Sequence, residues 1–116
     1  MTKVRIDPGA CGLSTDVEVR KKGKKTYSVT ISSDCEMVEN LGKELPELKM
    51  TDAFKRITDN PVFVKGAACL QHAACPVTCG ILKALEVEAG LNVKKAATIH
   101  FFDDEDDRDN RNREER

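Results

Sequence analysis

Residues 15–32 read TDVEVRKKGKKTYSVTIS, and this stretch decides the fold. Val17 and Val19 alternate with charged neighbours, and Tyr27, Val29 and Ile31 alternate with hydroxyl residues. A period of two marks a strand with one buried face. Between the two runs stands Lys22-Gly23-Lys24, where glycine supplies a positive φ for a tight reversal. The stretch predicts a β-hairpin. Side chains alternate strictly along a strand, so the two apolar sets must share a face. Pairing Val19 with Tyr27 and Val17 with Val29 meets that condition with a three-residue loop. The same register, extended, sets Cys11 across from Cys35 and predicts that these two thiols lie close together.

Working outward, residues 4–6 form a short strand ended by Asp7-Pro8-Gly9, in which proline presets one turn dihedral and glycine another. After the hairpin, Ser33-Asp34-Cys35-Glu36 reads as a capping box. Ser33 is its N-cap, and Met37, Val38, Leu41 and Leu45 follow at helical spacing. Cys35 then sits in the first turn. Pro46 stops that helix. Thr51 caps a short helix through Ile57, and Asn60-Pro61 opens another through Leu70, with a strand over Val62-Phe63-Val64 as the alternative. Cys75 caps a further helix with Pro76 at its first position, an apolar face of Ile81, Leu82, Leu85 and Ala89, and Gly90 as its stop. Residues 97–102 read as a closing strand. The expected fold is α+β: an antiparallel sheet of three to four strands with an N-terminal hairpin, covered on one face by helices.

The 116 residues have the length of one domain, with 40% hydrophobic and 34% charged content. Aromatics are only 4%, so the core must be aliphatic. Residues 1–102 form the expected domain. Residues 103–116 hold eight acids, four arginines and no apolar side chain, and are expected to be a disordered charged tail. The amino terminus lacks the apolar run of a signal peptide, and no apolar stretch approaches the roughly 18 residues of a membrane span. The expectation is a cytoplasmic protein without membrane contact. Residues 20–25, RKKGKK, form a basic hairpin tip, but no aromatic stacking partners accompany them. That favours a solvated turn that blunts edge pairing over a nucleic-acid surface.

Five cysteines remain to be explained: Cys11, Cys35, Cys69, Cys75 and Cys79. In a reducing compartment clustered thiols serve as ligands or nucleophiles more often than as disulfides, and an odd count leaves one unpaired. Cys35, Cys75 and Cys79 fall at helix starts, where unpaired N–H groups and the helix dipole favour the thiolate. Four thiolates from Cys11, Cys35, Cys75 and Cys79 suit Zn2+ or an iron-sulfur cluster, both of which take soft sulfur ligands. Cys69, between Ala68 and Leu70, reads first as a small core hydrophobe and second as an added ligand. His72, three residues before Cys75, is a further candidate ligand or a base for that thiol. His100 reads as structural.

Ala10-Cys11-Gly12 before the hairpin, Cys35 just after it, and Cys75 or Cys79 opening a late helix together resemble the NifU-like iron-sulfur cluster assembly scaffolds. The resemblance spans residues 10–89 and implies a small α+β domain on which three cysteines hold a transient cluster for a protein partner. Two cysteines stand here where those scaffolds carry one, and Leu13 follows Gly12 where they carry aspartate. The segment from His72 to Lys83, HAACPVTCGILK, also resembles small uncharacterised prokaryotic proteins. The leading expectation is a small metal-binding protein acting as scaffold, carrier or sensor rather than as an enzyme. The alternatives are a thiol switch or thiol enzyme using Cys75 and Cys79, and a non-catalytic protein-interaction domain.

Overall fold

A computed structural model describes residues 1–103. Four strands, β1 (Thr2–Ile6), β2 (Thr15–Lys21), β3 (Thr26–Ser33) and β4 (Glu47–Lys49), form an antiparallel sheet in chain order. Three helices, α1 (Glu36–Glu44), α2 (Pro61–Cys69) and α3 (Val77–Glu88), complete the fold. The α3 helix lies across β1 and β2, α1 packs on β3, and α2 packs against the other two helices. The α+β class and the helix-covered sheet match the reading of the sequence.

Period-two burial explains the layer. Val17, Val19, Tyr27, Val29 and Leu48 are buried on the sheet's inner face, while Lys3, Arg5, Arg20 and Thr30 are exposed. Against that face lie Val38, Leu41 and Leu45 from α1 and its end, Val62 from α2, and Val77, Ile81, Ala84 and Leu85 from α3. Fully burying one such side chain stabilises by roughly 1.5–3 kcal/mol, so this cluster is the main source of stability.

The hairpin forms, but its register differs from the expected one by two residues. Val19 faces Val29, Val17 faces Ile31, and Lys21 faces Tyr27. The reversal is longer, with the N–H groups of Lys22 and Gly23 both donating to the Thr26 carbonyl. Tyr27 is claimed from its other side by Leu48 on β4, a strand too short for the periodicity to reveal. A shift of two preserves the buried face, so the burial pattern alone could not detect it.

Helix starts differ in detail. Cys35, not Ser33, is the N-cap of α1. Ser33 stays in β3, its Oγ accepting from the Cys35 N–H at 3.0 Å, and Glu39 rather than Glu36 reaches back to accept from the Ser33 N–H. The expected helix from Thr51 is a single 3-10 turn, Met50–Ala53. Asn60 caps α2 as expected: its Oδ1 accepts from the Val62 N–H at 3.0 Å, and its Nδ2 donates to the Asp52 carbonyl at 2.7 Å. Pro76 is the N-cap of α3, so Cys75 lies two residues outside the helix. Gly90, at φ +74°, ends it, with Leu91 N–H donating to the Glu86 carbonyl. The expected strand over residues 97–102 is absent; this segment carries no secondary structure and is exposed. The charged tail lies outside the described residues apart from Asp103.

Candidate functional site

The register decides where the cysteines go. Ile6 at the end of β1 pairs with Thr15 at the start of β2, and Thr15 pairs with Ser33 at the end of β3. These three residues define one end of the sheet. Cys11 lies in the loop joining Ile6 to Thr15, and Cys35 follows Ser33 by two residues. The start of α3 reaches the same end, because a Cβ built on Gly80 would fall 2.3 Å from Ile6 Cδ1. Only glycine lets the helix sit this low on β1. Cys79 precedes that contact, and Cys75 lies one short step before the helix. The fold thus carries four cysteines from three segments, Cys75 and Cys79 sharing one, to one end of the sheet.

Their environments differ. Cys11 is exposed in a loop shaped by two positive-φ glycines, Gly9 at +85° and Gly12 at +69°. The Gly9 N–H donates to Asp7 Oδ1 at 2.9 Å, and the Gly12 N–H to the Gly9 carbonyl at 3.0 Å. Cys35 and Cys75 are half-buried and packed against the core, and Cys79 is exposed on α3. Cys69, the last residue of α2, is also half-buried against the core. All five thiols are free. Among the described residues, no three histidine, cysteine or carboxylate side chains stand close enough together to hold a metal ion. The ladder does not set Cys11 opposite Cys35: it ends at Thr15 and Ser33, and the observed register, extended, would bring Met37 there instead.

A cavity of about 290 Å³ opens between α2 and α3, walled by Phe63, Ala67, Leu70, His72 and Cys75. Its floor is a close helix contact, where a Cβ on Gly66 would come 3.0 Å from Thr78 Cγ2. His72 and Cys75 therefore share one concave surface, as their spacing suggested. The apolar walls, Phe63 and Leu70, were not legible as site residues: only Leu70 stands beside the His72–Cys75 loop in sequence, while Phe63 is brought there by α2. On the sheet's outer face at the cysteine end, Arg5 Nε donates to Asp16 Oδ1 at 2.8 Å. That hydrogen bond holds the Asp16 carboxyl below its usual range and raises the Arg5 guanidinium. Ser14, Ser33 and Asp34 line a shallow polar cavity beside this pair.

Fold and site together define a small α+β domain with a cysteine-bearing sheet end. The chain belongs to DUF6951, a family of unknown function whose model matches residues 2–101. That match covers the whole described domain and carries no activity and no tie to NifU-like scaffolds. No curated protein and no solved structure matches the chain.

Proposed function

We propose that this protein binds a soft metal centre, an iron-sulfur cluster or Zn2+, through Cys11, Cys35, Cys75 and Cys79, and serves as a scaffold, carrier or sensor. The observation that supports this reading is the placement of Cys11, Cys35 and the Cys75–Cys79 segment, four cysteines from three segments, toward one sheet end. Sulfur donors of this kind suit both candidates. Two of the four are exposed, which fits a centre that is loaded and passed to a protein partner. The donors are not assembled in advance, so binding must draw the Cys11 loop and the segment before α3 inward. Five free thiols fit a cytoplasmic, reducing setting. Among the described residues, no helix is long and apolar enough to cross a membrane.

The test is anaerobic purification with iron, zinc and acid-labile sulfide measured per chain beside the visible spectrum. Stoichiometric metal that falls in Cys11→Ser and Cys79→Ser variants supports the proposal. Metal content unchanged in both variants, or absent from wild type after reconstitution, ends it.

The cavity favours a second reading, a thiol switch or enzyme in which Cys75 attacks and His72 assists. Alkylation mapped by mass spectrometry separates the two. Rapid modification of Cys75, slowed in His72→Ala, supports thiol chemistry; uniformly slow labelling of metal-free protein excludes it.

A further inference from the structure

The segment after α3 is the least expected part of the molecule. Residues 97–102, ATIHFF, alternate in the manner of a strand and are rich in β-branched and aromatic side chains. Yet Ile99 is 86% exposed and Phe101 98%, values that no water-facing loop requires of such residues. The family match runs through residue 101, so this segment belongs to the domain and is not an appendage to it.

The sheet offers a matching vacancy. Among the described residues, β1 pairs with β2 alone and leaves the outer backbone groups of its five residues without a strand partner. Such an edge is a template for another strand. The opposite edge, β4, has only three residues and follows Pro46. Along β1, Thr2 and Ile6 are buried while Val4, on the same face, is only half-buried, so the core is thinly covered at this edge.

We propose that residues 97–102 add as a fifth strand, antiparallel, to the β1 edge of a second copy of this chain, giving a strand-exchanged dimer. Parity sets the register. Ile99 opposite Val4 places Ala97, Ile99 and Phe101 on the helix-covered face, and Thr98 and His100 beside Lys3 and Arg5 on the other.

Charge sets the direction. In the antiparallel sense the added strand leaves the sheet at its Thr2 end, where Asp103 begins the run Asp103-Asp104-Glu105-Asp106-Asp107. The basic hairpin tip stands at that same end, because Thr2 pairs with Val19 and Lys21 follows two residues later. Five basic side chains, Arg20, Lys21, Lys22, Lys24 and Lys25, stand at the end where an added antiparallel strand would hand over to the acidic run of the sequence. A parallel strand would carry those acids to the opposite end.

A second copy, rather than the same chain, is the occupant for a geometric reason. Glu88 ends α3 at the Thr2 end, where its Oε1 accepts from Thr2 Oγ1 at 2.7 Å. Residues 89–96 start at that end and are long enough to run back along β1, yet in this structure residues 97–102 do not pair with β1 of their own chain and leave Ile99 and Phe101 exposed for a second copy.

The experiment is light scattering after size exclusion, under reducing conditions and across a concentration series. The expected result is a dimer for wild type and a monomer for the double variant Ile99→Asp, Phe101→Asp, whose dissociation constant rises roughly 100-fold or more as two large apolar side chains lose their burial. Both residues are exposed in the monomer, so its far-ultraviolet circular dichroism should not change. Reversing the tip with Lys24→Glu and Lys25→Glu should weaken the dimer about 5-fold to 10-fold, and added salt should weaken the wild type. A wild type that is monomeric at all concentrations overturns the proposal. So does a dimer indifferent to Ile99→Asp, Phe101→Asp, or hydrogen exchange showing residues 97–102 protected in the monomer.

Discussion

The two ends of the sheet are held by different means. At the Thr2 end a single carboxylate gathers three partners: Glu88 accepts from the Thr2 hydroxyl at 2.7 Å and the Lys21 N–H at 3.2 Å, and pairs with the Met1 ammonium at 3.2 Å. At the Ile6 end the polar ties run between strands and their loops: Thr15 Oγ1 and Ser33 Oγ share a hydrogen bond at 2.7 Å, the Asp34 N–H donates to the Ser14 carbonyl at 3.2 Å, and Arg5 pairs with Asp16, none of them reaching α3. Helix α3 is held there by close apolar packing of Gly80 on Ile6, and the cysteine-bearing segments lie above it with partial or full exposure. Helix α3 is thus tied to the sheet by a carboxylate at one end and by apolar packing at the other. The proposed metal site would need its loops to move, and those loops lie at the end where the helix lacks a polar tie of the Glu88 kind.

The comparison can be broken at three levels. Leu85→Ala removes a fully buried side chain midway along α3 and should cost about 2–5 kcal/mol in denaturant unfolding, loosening both ends alike. Gly80→Val should cost about 1–3 kcal/mol, because the added methyls meet Ile6 and must lift the helix. Its effect should be one-sided, with hydrogen exchange rising at Ile6 and Thr15 while Thr2 and Val19 stay protected. Equal loosening of both ends would show that the helix responds as one rigid body.

Glu88→Gln should have a smaller effect, about 1 kcal/mol, and act at the other end. It also carries the pH dependence. The Thr2 hydroxyl first, with smaller help from the Met1 ammonium and the Lys21 N–H, holds the Glu88 carboxyl below its ordinary value of 4.5. A carboxyl depressed in the folded state contributes stability that is fully present above that ordinary value and is lost as pH falls through the folded one. Thermal melts from pH 7 downward should therefore keep this contribution until about pH 4.5 and lose it below, and Glu88→Gln should lack that part of the acid slope. Smallest of all, Lys22→Ala breaks an exposed pair with Glu47 and should change stability by about 0–1 kcal/mol.

Periodicity made much of this fold legible. Alternation at Val17, Val19, Tyr27 and Val29 revealed the hairpin and its buried face, and Asn60-Pro61 and Gly90 marked real helix ends. It could not count turn residues, so the register slipped by two without moving any side chain to the wrong face. It also missed β4, where Leu48 alone points inward and three residues are too few to show a period. Residues 97–102 show the reverse error. Their pattern is that of a strand, but a strand forms only when an edge pairs with it, and in this structure residues 97–102 pair with none.

For the site, the sequence by itself determined which residues have the chemistry: five thiols, two of them, Cys35 and Cys79, at helix starts, and a histidine three positions before Cys75. Those are covalent properties and local propensities, readable without neighbours. Only the tertiary structure decided that Cys11, Cys35, Cys75 and Cys79 share one end of the sheet, and that His72 and Cys75 share a cavity while Cys79 faces solvent. Those facts depend on strand register and on how low α3 sits over Ile6. The height of α3 is set by packing between Ile6 and Gly80, more than seventy positions apart, and the register by pairing across the turn and with β4, neither of which a local pattern encodes.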